Sequence, residues 1–379
     1  MKYKLTLIFV STFITLLFMY IGFFTKVSLE KRDQSYFTFK SYQGLNFHKK
    51  YSNILNHLRN VNLNWDYDGN QENFLFSVIN DFNQSKKNIL LQGDSWMEQI
   101  NLENQSLKNI TNYSKKNNFG IINAGITSFS PTLMKLQYEI LKKDFNIHPD
   151  IVIAYIDQTD IGDEICRYKK KRYFNSENKL IGVKQNEFSR GIYDYFRIYR
   201  SAEINLSKNN KFIKNIKRAN LQIEFKVKRA IKKLNNFRSY GYQNVDEARC
   251  YFSEIQKYLK NDLNNSDEQY FQNRLGDYLK AISNDTKIEK ILIVTFPHKN
   301  NFLQRDHKEH YKVNVSNLVD KELKKIKNLK IKHINFTKLL KDNSKFNFTI
   351  YRKDDAASHL NETPHNEIFV SEILENIRK

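Results

Sequence analysis

Beyond residue 85 the chain alternates between two hydrophobic patterns. Five short runs, NILLQG (88–93), FGIINAG (119–125), DIVIAYID (150–157), KILIVTF (290–296) and NLKIKHINF (328–336), are rich in Ile, Leu and Val. The first four are almost continuously apolar, as strands covered on both faces are. Stretches with helical spacing separate them. SPTLMKLQYEILKKDF offers Ser130 as N-cap and Pro131 as first helical residue, and sets Leu133, Leu136, Ile140 and Leu141 on one side. The last segment, TPHNEIFVSEILENI, repeats the device with Thr363 and Pro364. Strands alternating with helices predict an α/β fold, a three-layer α/β/α sandwich around a five-stranded parallel sheet.

About 120 residues interrupt this rhythm between the third and fourth runs, far more than an ordinary crossover needs. This insertion, 165–285, carries 26 Lys/Arg against 13 Asp/Glu. Its densest part, 208–238, has Glu224 as its single acid, while Phe212, Ile213, Ile216, Ile223, Val227, Ile231 and Leu234 recur at roughly helical spacing. One reading is a helical cap with a solvated basic face. The other is a helix that binds anionic lipid or acidic polysaccharide. No nucleic acid is expected, because no recognisable binding motif accompanies the charge. Residues 25–85 read as a lead-in packed on the domain formed by 86–164 and 286–379.

After a short tail (1–4), Leu5 to Phe24 runs without a charge, long enough as a helix to cross the ~30 Å hydrocarbon core. No small-residue cleavage site follows, so 5–24 is expected to be an uncleaved, single-pass signal anchor. Lys2, Lys4 and the amino terminus nearly balance Lys26, Lys31 and Arg32 across it. The bulk of the chain is placed in the periplasm or outside a bacterial cell. The net charge of +21 favours polyanionic partners, although joint enrichment in Lys, Asn, Ile, Phe and Tyr is also what an AT-rich genome imposes. Two cysteines, Cys166 and Cys250, exclude a disulfide scaffold and a cysteine-rich metal site; they are either a pair with each other or buried thiols.

Ligands of an open parallel sheet bind beyond the carboxyl ends of its strands. Four segments fall on that edge: Gly-Asp-Ser (93–95), NAGITS (123–128), DQTD (157–160) and DDAASHLN (354–361). Together they offer the parts of an acyl-transfer centre. Ser95 is the candidate nucleophile and His359 its base, with Asp355 or Asp354 holding the imidazole. The N–H groups of Ser95 and Gly125 are candidate oxyanion donors. Asp94 is a candidate support for the turn that presents Ser95, and His298 in TFPHKN a candidate substrate contact. His365 reads as structural, and His307 and His310 as surface residues. No metal ligand set and no cofactor are expected.

At these residues the chain resembles the SGNH (GDSL-like) hydrolase family, through GDSW (93–96), NAG (123–125), DQTD (157–160) and SHLN (358–361). The resemblance covers roughly 86–164 and 286–379 and implies a flavodoxin-like sandwich, Ser95 as nucleophile, Gly125 as oxyanion donor and His359 as base. Two positions depart from the family pattern. Its third block carries Asn where Thr159 stands, leaving the Thr159 hydroxyl or the Gln158 amide, beside Asp160, to substitute. Its Asp three residues before the His is Ala356 here, and Asp355 lies one residue further away. The reaction expected is cleavage of an ester, acetyl on a cell-envelope glycan in relatives. The rivals are an O-acetyltransferase using the same acyl-enzyme, and an impaired centre that only binds glycan.

Overall fold

The computed structural model describes residues 9–17, 19, 46–47, 49–55, 72–73, 75–82, 85, 87–102, 104–183, 200–238, 265–299, 314–326, 328–342, 350–353 and 359–378. The chain divides into two compact units, one of residues 1–73 and 185–244, the other of 74–184 and 245–379.

The second unit is mixed α/β around a mostly parallel sheet. After the two-residue strand β1 (Glu72–Asn73) come β2 (Phe76–Asn80), β3 (Lys87–Gly93), β4 (Phe119–Gly125) and β5 (Ile151–Asp157). A small antiparallel pair, β6 (Arg172–Phe174) and β7 (Leu180–Val183), stands apart, and β8 (Lys290–Phe296) and β9 (Ile331–Asn335) return to the main sheet. There the unit's strands lie in the order β2-β4-β3-β5-β8-β9. The five runs read as parallel strands are β3, β4, β5, β8 and β9. The expected count of five is too small, because β2 adds an antiparallel strand beside β4. Its sequence, FSVIN, is only partly buried and lacks the continuous apolar signal of the others.

Strands β4 and β5 are buried along their whole length. On one face Ile89, Leu91, Ile153, Tyr155 and Val294 share a core with Trp96, Met97, Ile110 and Phe369 from helices Ser95–Leu102, Asn104–Asn117 and the carboxyl-terminal segment. On the other face Gln92 meets two further helices. Its amide donates to Met134 O (3.1 Å) and Gln137 (2.8 Å) in Pro131–Phe145, and its oxygen accepts from Tyr278 (3.0 Å) in Asn265–Ser283. The sheet is therefore covered on both sides.

Helix Pro131–Phe145 starts as its sequence predicts, with Ser130 extended at the N-cap and Pro131 at the first position, and ends on Asn146 in the left-handed region (φ 53°). The final helix starts earlier than predicted. Its first part runs Glu362–Ile368 from an N-cap at Asn361, with Pro364 inside the first turn, and the chain stays helical to Arg378. Proline is tolerated there because the first N–H groups have no acceptor within the helix.

The parallel strands, taken in chain order, are arranged 2-1-3-4-5, so the order reverses between β3 and β5. Helix Asn265–Ser283, which falls inside 165–285, belongs to this unit and buries Phe271, Leu275, Tyr278, Leu279 and Ile282. Cys166 is disulfide-bonded; Cys250, the other cysteine of the chain, lies outside the described residues.

In the first unit the main described element is the helix Lys211–Arg238. Within 5–24, residues 9–17 and 19 are described and helical, with Phe9, Phe13, Leu16 and Met19 exposed. Among the described residues no helix is long and apolar enough to cross a membrane.

Candidate active site

The switch in strand order brings the end of β3 beside the end of β5, and the candidate chemistry gathers there. Gly93 closes β3 at φ 157°, and a Cβ on it would lie 2.9 Å from the Cβ of Tyr155 on β5. Asp94 then starts the helix that carries Ser95. Its carboxylate accepts the N–H of Trp96 (2.9 Å), and its carbonyl accepts those of Met97 (3.1 Å) and Glu98 (3.0 Å). Of the four N–H groups from Ser95 to Glu98, three are thereby satisfied by Asp94. The fourth belongs to Ser95.

His359 reaches Ser95 from the far end of the chain, with Nε2 2.7 Å from Oγ. Its main chain is held by a short pairing: Arg352 N–H donates to His359 O and Asn361 N–H to Ile350 O, both at 2.8 Å. Its ring lies 5.6 Å from that of Trp96, which stacks on Phe296 from β8. With the imidazole proton on Nδ1, Nε2 accepts the serine hydrogen. Asp354 and Asp355 lie outside the described residues. The described carboxylates that sense the charge of a protonated His359 are Glu98 and Asp157. Burial pushes both up from the usual carboxylate range; hydrogen bonds, from Thr127 to Glu98 and from Thr159 and Asp160 to Asp157, and then that charge offset part of the rise.

Two of the expected oxyanion donors, Gly125 and Thr159, hold hydrogens that are engaged within the fold. Gly125 does end β4 against the serine helix, where a Cβ would stand 2.5 Å from Glu98 N and 2.6 Å from Met97 Cβ. Its N–H, however, donates to Asn123 Oδ1 at 2.9 Å. Thr159 turns inward: its hydroxyl and N–H donate to Asp157 Oδ1 at 2.8 and 2.7 Å. Both hydrogens serve the turns after β4 and β5. Gln158 is buried, and its Oε1 accepts Val315 N–H at 2.9 Å, fixing the start of helix Val315–Ile326. His298 is buried after β8, and His365 Nδ1 meets the Gln99 amide at 3.1 Å, a structural pairing. His307 and His310 lie outside the described residues.

Two residues matter here that the sequence did not single out. Asn123 donates to Met97 O (2.9 Å) and accepts from Gly125, tying β4 to the serine helix. Glu98, one turn after Ser95, accepts Thr127 N–H (2.9 Å) and its hydroxyl, holding the loop after Gly125. The signal for Glu98 was its place three residues after Ser95, in the first turn of the same helix.

No protein-family model matches the chain. No curated protein matches it either. Two solved structures are similar, each over 78 % of this chain and 96 % of its own, at 11 % identity. One is a catalytic mutant of an acetylxylan esterase from Geobacillus stearothermophilus (TM-score 0.38), the other a mutant described as an acetyl-xylooligosaccharide esterase from the same organism (TM-score 0.36). A likeness at this level identifies neither the family nor the substrate.

Beneath Ser95, Asp94, Asp157 and Asp160 bring carboxylate oxygens within 4.8 Å of one another, all buried. Asp160 Oδ2 accepts Asp157 N–H at 3.1 Å. Burial, then the neighbouring Asp157, pushes Asp94 and Asp160 well above the usual range. Such carboxyls keep protons in the fold that the unfolded chain has already released. The stability they contribute is complete below the ordinary Asp pKa of about 3.9 and is lost as pH rises through the folded value. Asp160→Asn is neutral at any pH and retains an acceptor oxygen. It is expected to raise the melting temperature at pH 8 by clearly more than at pH 5. Equal shifts at the two pH values would mean Asp160 is charged in the fold.

Proposed function

We propose that the protein is a serine hydrolase of the SGNH type that cleaves ester bonds, foremost acetyl esters of cell-envelope glycans. It would be held by residues 5–24 in the membrane, with its catalytic unit outside the cytoplasm. The observation that carries the chemistry is the 2.7 Å approach of His359 Nε2 to Ser95 Oγ at the point where the strand order reverses. The acetyl-glycan substrate and the membrane placement rest on the sequence and on the family resemblance.

In this reading His359 takes the Ser95 hydroxyl proton as Oγ attacks the ester carbonyl. The negative oxygen of the tetrahedral intermediate is met by the Ser95 N–H, whose position at a helix start also favours negative charge. Collapse breaks the bond to the sugar oxygen, which takes the proton from His359 and departs as a hydroxyl, leaving acetyl on Oγ. Water, deprotonated by the same imidazole, releases acetate and restores the serine. One observation favours the rival reading of a glycan-binding protein with an impaired centre: the Gly125 N–H and Thr159 hydroxyl are both engaged within the fold. Loss of one oxyanion donor typically costs about 10²–10³ in rate.

A fluorophosphonate probe separates the two. The full-length protein in detergent is expected to be labelled at Ser95, and Ser95→Ala and His359→Ala to remain unlabelled. A folded wild-type protein that takes no label is not a serine hydrolase, and the binding reading then stands.

A further inference from the structure

Helix Lys211–Arg238 turns its apolar side outward. Within its own unit it packs against the helical segment 200–206 through its charged side. Arg200 pairs with Glu224 at 2.6 Å, Lys214 Nζ donates to Asn205 O at 2.9 Å, and Arg218 donates to Asn205 Oδ1. Leu221 on the helix and Ala202 in the segment are buried. At 3.6 residues per turn, Phe212, Ile216, Ile223 and Val227 fall in a sector about 60° wide on the other side, with Ile213 at its margin. Phe212 is 73 % exposed and the other four are 40–51 % exposed. An ordinary surface helix buries such a stripe and shows its lysines to water. This one leaves the stripe in water together with Lys211, Lys217 and Lys226.

We infer that this outward face seats on the surface of an anionic lipid bilayer, with the helix lying in the plane of the interface. Its sequence carries ten Lys/Arg and one acid, Glu224, which is already paired with Arg200. Lys226 flanks the stripe on one side and Lys217 on the other. A soluble acidic polysaccharide would satisfy the lysines and leave Phe212, Ile216, Ile223 and Val227 in water. A bilayer takes both: the stripe enters the headgroup–acyl boundary while the lysines meet lipid phosphates. With 28 residues the helix extends about 42 Å along that surface.

The test uses the full chain reconstituted in vesicles, so that any membrane attachment by residues 5–24 is common to every arm. An environment-sensitive nitrobenzoxadiazole dye is placed on Ile223→Cys, and the unsubstituted protein taken through the same labelling gives the background. In vesicles of phosphatidylcholine with phosphatidylglycerol the dye is expected to brighten severalfold and shift to the blue. Raising salt to about 0.5 M should diminish the effect. Adding Ile216→Asp and Val227→Asp should abolish it while circular dichroism reports unchanged helix. Emission typical of water in the anionic vesicles overturns the inference. So does an equal change in phosphatidylcholine alone, or one that appears only on adding soluble dextran sulfate, which would assign the face to polysaccharide. A change that grows with protein concentration in detergent, without vesicles, would assign it to a second copy of the chain and overturn the inference too.

Discussion

His359→Ala is expected to lower kcat/KM for an acetyl ester about 10⁴–10⁶-fold, and adding Ser95→Ala should cost little more. The reasoning is geometric. A serine hydroxyl is a poor nucleophile until a base takes its proton, and Nε2 at 2.7 Å is the base in contact with this one. Two groups that make one proton transfer act as a unit, so removing either removes nearly all of what both supply. The residual rate would come from binding and the helix-start N–H. Measuring ester hydrolysis for the two single variants and the double variant decides the matter. Single losses that multiply in the double variant would show that Ser95 and His359 act independently, and the acyl-enzyme scheme would fail. The melting temperature should stay close to wild type in all three, since Ser95 and His359 are not among the buried residues of the core.

Gly125→Ala is expected to act in the opposite way, through stability first. The added methyl would stand 2.5 Å from Glu98 N and 2.6 Å from Met97 Cβ, and one of those contacts is backbone of the serine helix. The helix start is held by Asp94 and by Asn123, so it has little freedom to retreat. Overpacking of a tight site typically costs 1–3 kcal/mol, and this position belongs at the upper end. For a unit of this size about 3 kcal/mol corresponds to a melting temperature lowered by roughly 6–12 °C. Thermal unfolding of the variant beside wild type measures it. An unchanged transition would mean that β4 and the helix part easily, which contradicts the tight contact seen between them.

The fold was legible where burial is complete. Strands β4 and β5 have no exposed face, so their apolar character is unbroken in the sequence and their boundaries could be read almost to the residue. Strand β2 is half-covered and carries no such run, which is why the sequence reading passed over it. The amphipathic face of helix Lys211–Arg238 was visible in its spacing, but not which side it would show to water, because that depends on what it packs against. Ser95 and His359 could be picked out because strand ends converge on one edge. The destination of each hydrogen could not. Gly125 and Thr159 have the right chemistry and stand on the right edge, yet their hydrogens point to Asn123 and Asp157. Such choices rest on a few ångströms of three-dimensional placement that neither composition nor spacing encodes.

The long excursion between β5 and β8 has a consequence for chain entropy. About 130 residues separate Asp157 from Lys290, yet the two strands pair in register along their whole length, from Ile151 against Lys290 to Asp157 against Phe296. Closing a loop grows more costly only with the logarithm of its length, so this crossover costs about 2 kcal/mol more than one of 15 residues would. Seven paired positions spread that sum thinly. The edge of the sheet that bears Asp157 can therefore carry a segment with its own surface chemistry at small thermodynamic expense, and the length and composition of that segment are left free to vary without dislodging the strands that hold Ser95.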